Sequence, residues 1–362
     1  MYEYVGAVHI HSVYSDGTGK IEDIAKAAYD SGLDFIMMTD HNTLKPKTDG
    51  FEKWLNNVLV IVGYEVNDVD NKNHYLAFGL DNVIGSYEVL ETGELGCKLS
   101  AKDYVKQINE KGGIGFIAHP DETRSHMPEH PPYPWTDEDA EDFTGIEVWN
   151  HMSEWIEGVD ESNKLDRFLH PLKSIIAPSA KTLERWDNAS ITRHVTGIGG
   201  VDAHALKQNL LGFFEVEIFA YKVLFKSIRT HVLMEEEIKE NDKKTFEDSK
   251  NSIIKALRTG RCFFSNYYHG NAKGFRFYGE FKGKNFITGD QIDISDGGSV
   301  LLKALLPKEA VIKLVHNGKQ ISQLHAMEGA WEIKLPGIYR VECWLNGKGW
   351  IFSNHIRVSN SK

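Results

Sequence analysis

Residues 5–42 read VGAVHIHSVYSDGTGKIEDIAKAAYDSGLDFIMMTDHN. Val5, Ala7, Val8 and Ile10 predict a short buried strand with His9-Ile10-His11 at its C-terminal end. Residues two apart on a strand face the same side, so both imidazoles can converge on one point. Ser15-Asp16-Gly17 predicts a turn, and Gly17 and Gly19 give the backbone latitude to return Asp16 towards those histidines. Ile21, Ile24 and Ala28 repeat with helical spacing across 20–31, and Gly32 is a suitable stop. A second buried strand is predicted over 33–39, running into Asp40-His41-Asn42. A strand–helix–strand crossover makes the two strands parallel and puts both C-terminal ends on one rim. One His-x-His is often mere polar surface. Two clusters of ligand-type residues at the ends of consecutive parallel strands point instead to a metal site.

The same pattern continues along the chain. An apolar run over 58–62 predicts a strand that delivers Glu65 to the same rim, and His74 leads another strand over 73–79. Ser100 with Asp103 forms a capping-box pattern for a helix to about residue 111. A strand over 114–118 then delivers His119-Pro120, and 145–150 is a strand containing Glu147. Helical segments follow to about residue 187, with Trp155, Leu165, Phe168, Leu169 and Leu172 assigned to the core. The Gly-rich strand 195–201 ends in Asp202-Ala203-His204, repeating the two-residue spacing of His9 and His11. Alternating strands and helices run to about residue 266, which predicts a barrel-like α/β domain with its site at the strands' C-terminal rim.

Residues 121–143 are a loop rich in Pro, His and acid. A loop this long is usually a lid, a binding loop or a disordered insert. It leaves directly from His119, and Arg124 is its sole Arg or Lys, placed to meet a bound anion; Tyr133 and Trp135 are its aromatic contribution. His126 and His130 are read as loop residues. From residue 270 onward, short alternating runs are separated by Asn317-Gly318, Pro336-Gly337 and Asn346-Gly347. This predicts a β-sandwich over 270–362, after an α/β domain over 1–269. His316, His325 and His355 lack partner clusters there and are read as surface or structural.

Composition narrows the classes. The chain has 362 residues, 41% hydrophobic and 26% charged, as in ordinary globular proteins. Its net charge of −11, with no Lys/Arg-rich run, argues against duplex nucleic acid or an anionic membrane as the main partner. The scattered Cys97, Cys262 and Cys343 form no Cys-x-x-Cys, which disfavours a thiolate site and fits a reducing, cytoplasmic setting. No apolar run reaches transmembrane length.

Assembled in order, His9-x-His11, Ser15-Asp16-Gly17, Thr39-Asp40-His41-Asn42, Glu65, His74, Ala118-His119-Pro120 and Asp202-Ala203-His204 resemble the PHP family, named for polymerase and histidinol phosphatase. Ala256-Leu257-Arg258-Thr259-Gly260-Arg261-Cys262 and Ile351-Phe352-Ser353-Asn354 resemble the branch that includes carbaryl hydrolases. The resemblance implies a distorted (β/α)7 barrel holding two or three divalent metal ions. It implies that His9, His11, Glu65 and Asp202 hold one, and that Glu65 bridges to a second held also by His74 and His119. Asp16, His41 and His204 are implied for the third, and the role of Glu147 stays open. Ligands that are all nitrogen or oxygen suit Zn, Mn or Fe alike. Three dications would carry about +6 against about −3 from Asp16, Glu65 and Asp202, which suits a phosphate dianion attacked by a metal-bridging hydroxide. The leading expectation is a phosphoesterase acting on a small phosphate ester, nucleotides included. The alternatives are a carboxylester or carbamate hydrolase on the same metals, and a binding module with a vestigial site.

Overall fold

The computed structural model describes residues 1–126, 131–210, 214–217, 219–238 and 243–360. His130 lies outside the described residues. The opening unit forms as its sequence predicts: strand Tyr2–Ile10, helix Ile21–Asp30 and strand Phe35–Met38, with the two strands parallel. Ile21, Ile24, Ala25 and Ala28 bury one face of the helix, and Gly32, at φ 71°, ends it. Strand Val58–Val62 adds in parallel beside Phe35–Met38, and Lys53–Leu55 closes that edge. Phe35–Met38 and Val58–Val62 are buried on both faces, so they read as continuous apolar runs.

A second sheet has the order Thr196–Gly200, Gly145–Asn150, Ile114–Ile117, Tyr75–Phe78, Tyr64–Val66. Its first three strands are parallel, and Tyr75–Phe78 runs antiparallel to both of its neighbours. Two seams join it to the first sheet. At one, Val201 N–H donates to Val8 O and His11 N–H to Ala203 O, both at 3.0 Å. At the other, Gly63 N–H donates to Met38 O (2.9 Å) and Asn42 N–H to Glu65 O (2.8 Å). The architecture is thus α/β, with two sheets stitched around one rim; among the described residues no single sheet closes on itself.

The C-terminal part is all β with its own apolar core, built on Phe277, Leu302, Ile312, Val341 and Trp350 among others. Both Asn-Gly pairs form the expected hairpins, with positive φ at Asn317, Gly318, Asn346 and Gly347. Strand Val300–His316 bends after Leu305, where its register breaks, and so pairs first with Arg276–Phe281 and then with Gly337–Leu345. The sheet is continuous with the α/β part. Strand Ile228–Met234 lies antiparallel to Tyr2–Ile10, Cys262–Asn266 to it, and Lys348–Ser353 to that in turn. The last strands before residue 266 therefore leave the parallel pattern.

Two further contacts tie the parts together. Arg340 donates from Nε and Nη2 to Asp187, both at 2.8 Å, and His355 Nε2 approaches the same carboxylate at 2.8 Å. Asn354 clasps Gly197 at its N–H (2.7 Å) and its C=O (2.8 Å). His355 is thus structural, as expected. Leu165 and Leu169 are 73% and 65% exposed, against the expectation of core. Helix Lys164–Leu169 is too short to bury both of its faces, and only Phe168 packs inward. No helix among the described residues is long and apolar enough to cross a membrane.

Candidate metal centre

The geometry at His9 differs from simple strand alternation. The pairing register slips between Val8 and Ile10, and His9 itself has φ 67°. The strand ends at Ile10, so a bulge, rather than a regular pleat, aims the two imidazoles together. His119 (φ 28°) and Asp202 (φ 51°) also occupy the left-handed region, just past their strands. Three of the expected ligand residues therefore sit on backbone that non-glycine residues seldom adopt, a pattern concentrated at functional sites.

All the expected ligand residues come together. The potential ligand atoms fall into four overlapping groups, each within 4.8 Å: His11, Asp16, His41 and His204; His9, Glu65 and His119; His9, His11 and Asp202; His41, Glu65 and His74. Glu65 stands at the centre with its oxygens divided. Oε2 lies 3.0 Å from His9 Nε2 and 3.1 Å from His11 Nε2, while Oε1 lies 2.8 Å from His74 Nδ1 and 3.3 Å from His119 Nε2. Asp16 faces the third side, 3.4 Å from His11 Nδ1 and 3.1 Å from His204 Nε2.

Most of these groups are buried, Asp16 being the exposed one, and they perturb one another's charge. Burial favours protonated Glu65, but His9, His74 and His41 outweigh it and hold its carboxyl well below the usual range. Burial likewise opposes charging His9, yet Asp202, Glu147 and Glu65 hold its pKa well above the ordinary value. His204 rises to about 9 against its burial, chiefly through Asp16. His41, where burial prevails, falls to about 4. Neither ring nitrogen of fully buried His11 makes a hydrogen bond, although carboxylate oxygens stand close to both. Lone pairs from imidazole and carboxylate pointing at common centres are what divalent cations satisfy, so the donor set fits such ions.

A second layer of residues holds the first. Glu147 Oε1 accepts from His9 Nδ1–H (2.9 Å), which leaves His9 Nε2 facing the cluster. Its other oxygen accepts from His119 N–H (3.0 Å) and from Asn150 Nδ2 (2.8 Å), and Asn150 also reaches Asp202 Oδ2 (3.3 Å). The role left open for Glu147 is thus that of an anchor behind two of the expected ligands. Asp40 accepts from Ser12 N–H (2.7 Å) and from the hydroxyls of Ser12 and Ser15, which fixes the turn carrying Asp16. A Cβ on Gly17 would strike the His11 carbonyl, so glycine serves there through close approach and not through positive φ.

Sequence reasoning missed Tyr221. Its hydroxyl is shared between His11 O (2.8 Å) and His204 O (3.1 Å) and accepts from Gly19 N–H (3.1 Å). In Ala220-Tyr221-Lys222-Val223-Leu224 nothing separates it from an ordinary core tyrosine.

The loop after His119 reaches the site in part. Arg124 and Tyr133 line a cavity of about 330 Å³ that also contains His41, Glu65, His74, His119 and Asp202. Tyr133 stacks on His74 at 4.9 Å, and the Arg124 guanidinium lies over the Tyr133 ring at 4.7 Å. Arg124 also pairs with Glu122 at 2.9 Å. Trp135 does not reach the site: it is 4% exposed and packs near Tyr75. His126 is exposed and outside the cavity. A larger groove of about 650 Å³ beside helix Ala180–Thr192 contains none of the expected ligands.

Residues 7–119 match the family model described as PHP domain, a stretch holding every expected ligand except Asp202 and His204. An uncharacterised protein of Methanocaldococcus jannaschii is 26% identical over 134 residues, which span 31% of this chain and 66% of that protein. Among solved structures, a two-domain protein from Bacteroides vulgatus containing a predicted PHP-like metal-dependent phosphoesterase aligns over 98% of this chain and 95% of its own, at 16% identity and TM-score 0.44. A candidate metal-dependent phosphoesterase from Bifidobacterium adolescentis aligns over 59% of this chain and 92% of its own, at 18% identity and TM-score 0.33.

Proposed function

We propose that the chain is a metal-dependent phosphoesterase acting on a small phosphate ester. The observation that carries this reading is the division of Glu65, one oxygen turned to His9 and His11 and the other to His74 and His119. In this reading His9, His11, Glu65 and Asp202 hold one divalent ion, and Glu65, His74 and His119 a second. Asp16, His41 and His204 are the residues for a third. Such ions, when bound, acidify water and neutralise charge on a phosphoryl group.

The chain's own groups then have distinct tasks. Glu147 and Asn150 orient His9, His119 and Asp202, so the ligand atoms are placed in advance. Arg124, held between Glu122 and Tyr133, presents its guanidinium to the cavity where phosphate oxygens would lie. The carbamate reading loses one of its two aromatic residues, because Trp135 lies outside the cavity. A vestigial site has no need to keep all the ligand residues within reach of one another. The barrel of (β/α)7 type and a division near residue 269 belong to the same proposal.

Elemental analysis should find at least two transition-metal equivalents in the protein, depleted in His9→Ala and Asp202→Ala. Phosphate monoesters should be hydrolysed with Mn²⁺ or Zn²⁺. Full-rate hydrolysis by metal-free protein would refute the reading.

A further inference from the structure

One end of the site cavity is lined by carboxylates and imidazoles, and the other is apolar. Met152, Trp155, Ile156, Phe168, Leu206 and Phe219 form that second end. Trp155 meets Phe168 and Phe219 edge-on, with ring centroids 4.8 and 4.6 Å away. Phe168 and Phe219 lie nearly parallel at 6.0 Å. The wall is locked from behind, since the Trp155 indole N–H donates to Arg167 O at 3.0 Å. It therefore offers ring surface and no free hydrogen-bonding group among its described residues.

The cavity lining also includes two amides, Asn67 and Asn71, but their groups are already engaged. Asn67 accepts from Asn42 Nδ2 (2.6 Å) and donates to Leu95 O (3.2 Å), and Asn71 Nδ2 donates to Glu94 (2.9 Å). Reading a sugar hydroxyl or a base edge requires free donors and acceptors placed to meet it. Leu206, which also lines the cavity, is 44% exposed. The wall also begins close to the candidate ligands: Leu206 follows His204 by two residues, and Met152 follows Asn150, which bonds Asp202, by two.

We propose that this wall is a subsite for a flat, uncharged aromatic group carried directly on the reacting phosphate, so that the site prefers aryl phosphates to nucleotides and polyol phosphates. The proposal rests on the phosphoesterase reading for its phosphate end. The cavity volume of about 330 Å³ is at the low end for small-molecule sites, enough for a phosphate and a small ring system. Edge and face contacts with Trp155, Phe168 and Phe219 favour an aromatic occupant of the apolar end.

The test uses the full chain loaded with Mn²⁺ and two non-hydrolysable ligands, 1-naphthylphosphonate and ethylphosphonate, titrated by calorimetry. Naphthyl binding is expected to be at least ~10-fold tighter, the scale of one small ring's apolar burial. The ratio between the two ligands should fall at least ~3-fold in Phe168→Ala and in Leu206→Gln, the second being an exposed position that the fold tolerates. Equal affinities in the unaltered protein, no binding of either ligand, or equal losses for both ligands in the variants would overturn the subsite. A clear naphthyl preference in a protein that hydrolyses no phosphate ester would overturn the phosphoesterase reading and leave the subsite standing. Hydrolysis of glycerol phosphate and adenosine monophosphate without any naphthyl preference would do the reverse.

Discussion

Glu147→Gln isolates the layer behind the proposed metal ligands. The carboxylate accepts three hydrogen bonds, from His9 Nδ1, His119 N–H and Asn150 Nδ2. A glutamine amide has one oxygen and one NH₂, so it cannot accept on both sides. If its oxygen stays with His119 and Asn150, its NH₂ faces His9 Nδ1 and drives the ring proton to Nε2. In the neutral ring that proton would then occupy the Nε2 lone pair that a cation needs, on the side facing Glu65 Oε2 and Asp202 Oδ1, 3.0 and 3.4 Å away. If the amide is flipped, its NH₂ opposes two N–H donors. Either way the cation loses a ready ligand. Changes of this kind cost about 10–100-fold in metal affinity, or about 1.4–2.7 kcal/mol. Chelator competition with Zn²⁺ on metal-stripped protein measures it, with circular dichroism to verify the fold. Gly200→Ala is an independent route to the same defect, because a Cβ there would run into Glu147 Oε1. Unchanged affinity in both variants would refute the reasoning.

Tyr221→Phe removes the hydroxyl that joins the loops of His11 and His204, and should lower stability by about 1–2 kcal/mol in urea unfolding; a change below 0.5 kcal/mol would remove Tyr221 from that role. Truncation after Asn266 strips Arg340 and His355 from Asp187 and Asn354 from Gly197, and uncovers the strand Cys262–Asn266, so the fragment should be insoluble. A soluble fragment that binds metal would show the α/β part to be self-sufficient. Burial opposes ionising Asp187, but Arg340 and His355 prevail and hold its pKa well below the ordinary value. Its contribution is therefore present above the unfolded value near 4 and lost as pH falls. Asp187→Asn should cost about 3 kcal/mol at pH 7 and flatten the acid side of the stability profile; a parallel profile would exclude Asp187 as its source.

The convergence of the candidate ligands was legible because His, Asp and Glu side chains at strand ends are chemically distinctive, and the strands that deliver them are apolar runs that can be read locally. The opening crossover, the cap at Ser100 and the Asn-Gly hairpins were legible for the same reason. What escaped depends on distant pairing. Nothing near Cys262 announces that its strand will pair with Lys348–Ser353 and carry one sheet through both parts of the chain. The bulge at His9 was hidden because a slip in register is a property of two strands, and strand alternation gave the right convergence for the wrong reason. Leu165 and Leu169 misled because a helix of six residues, under two turns, carries too short a period from which to assign a face.

The three strained ligand residues bear on how the rim is held. A non-glycine residue in the left-handed region costs of order 1–3 kcal/mol and persists only where its surroundings over-determine it. At His9 the determinants are Glu147 on the ring and Ala203 N–H on the carbonyl, at 2.9 and 3.2 Å. At His119 the backbone N–H is fixed by the same Glu147. At Asp202 the side chain is met by Asn150, itself bonded to Glu147. One buried carboxylate is therefore connected to all three positions, directly at His9 and His119 and through Asn150 at Asp202. The strand that carries Asp202 is held in turn at Gly197 by Asn354, and so by the C-terminal part. That chain of contacts gives the all-β part a physical role without a catalytic group of its own. By fixing the strand from behind, it keeps the Asp202 side of the rim in register with the His9 side.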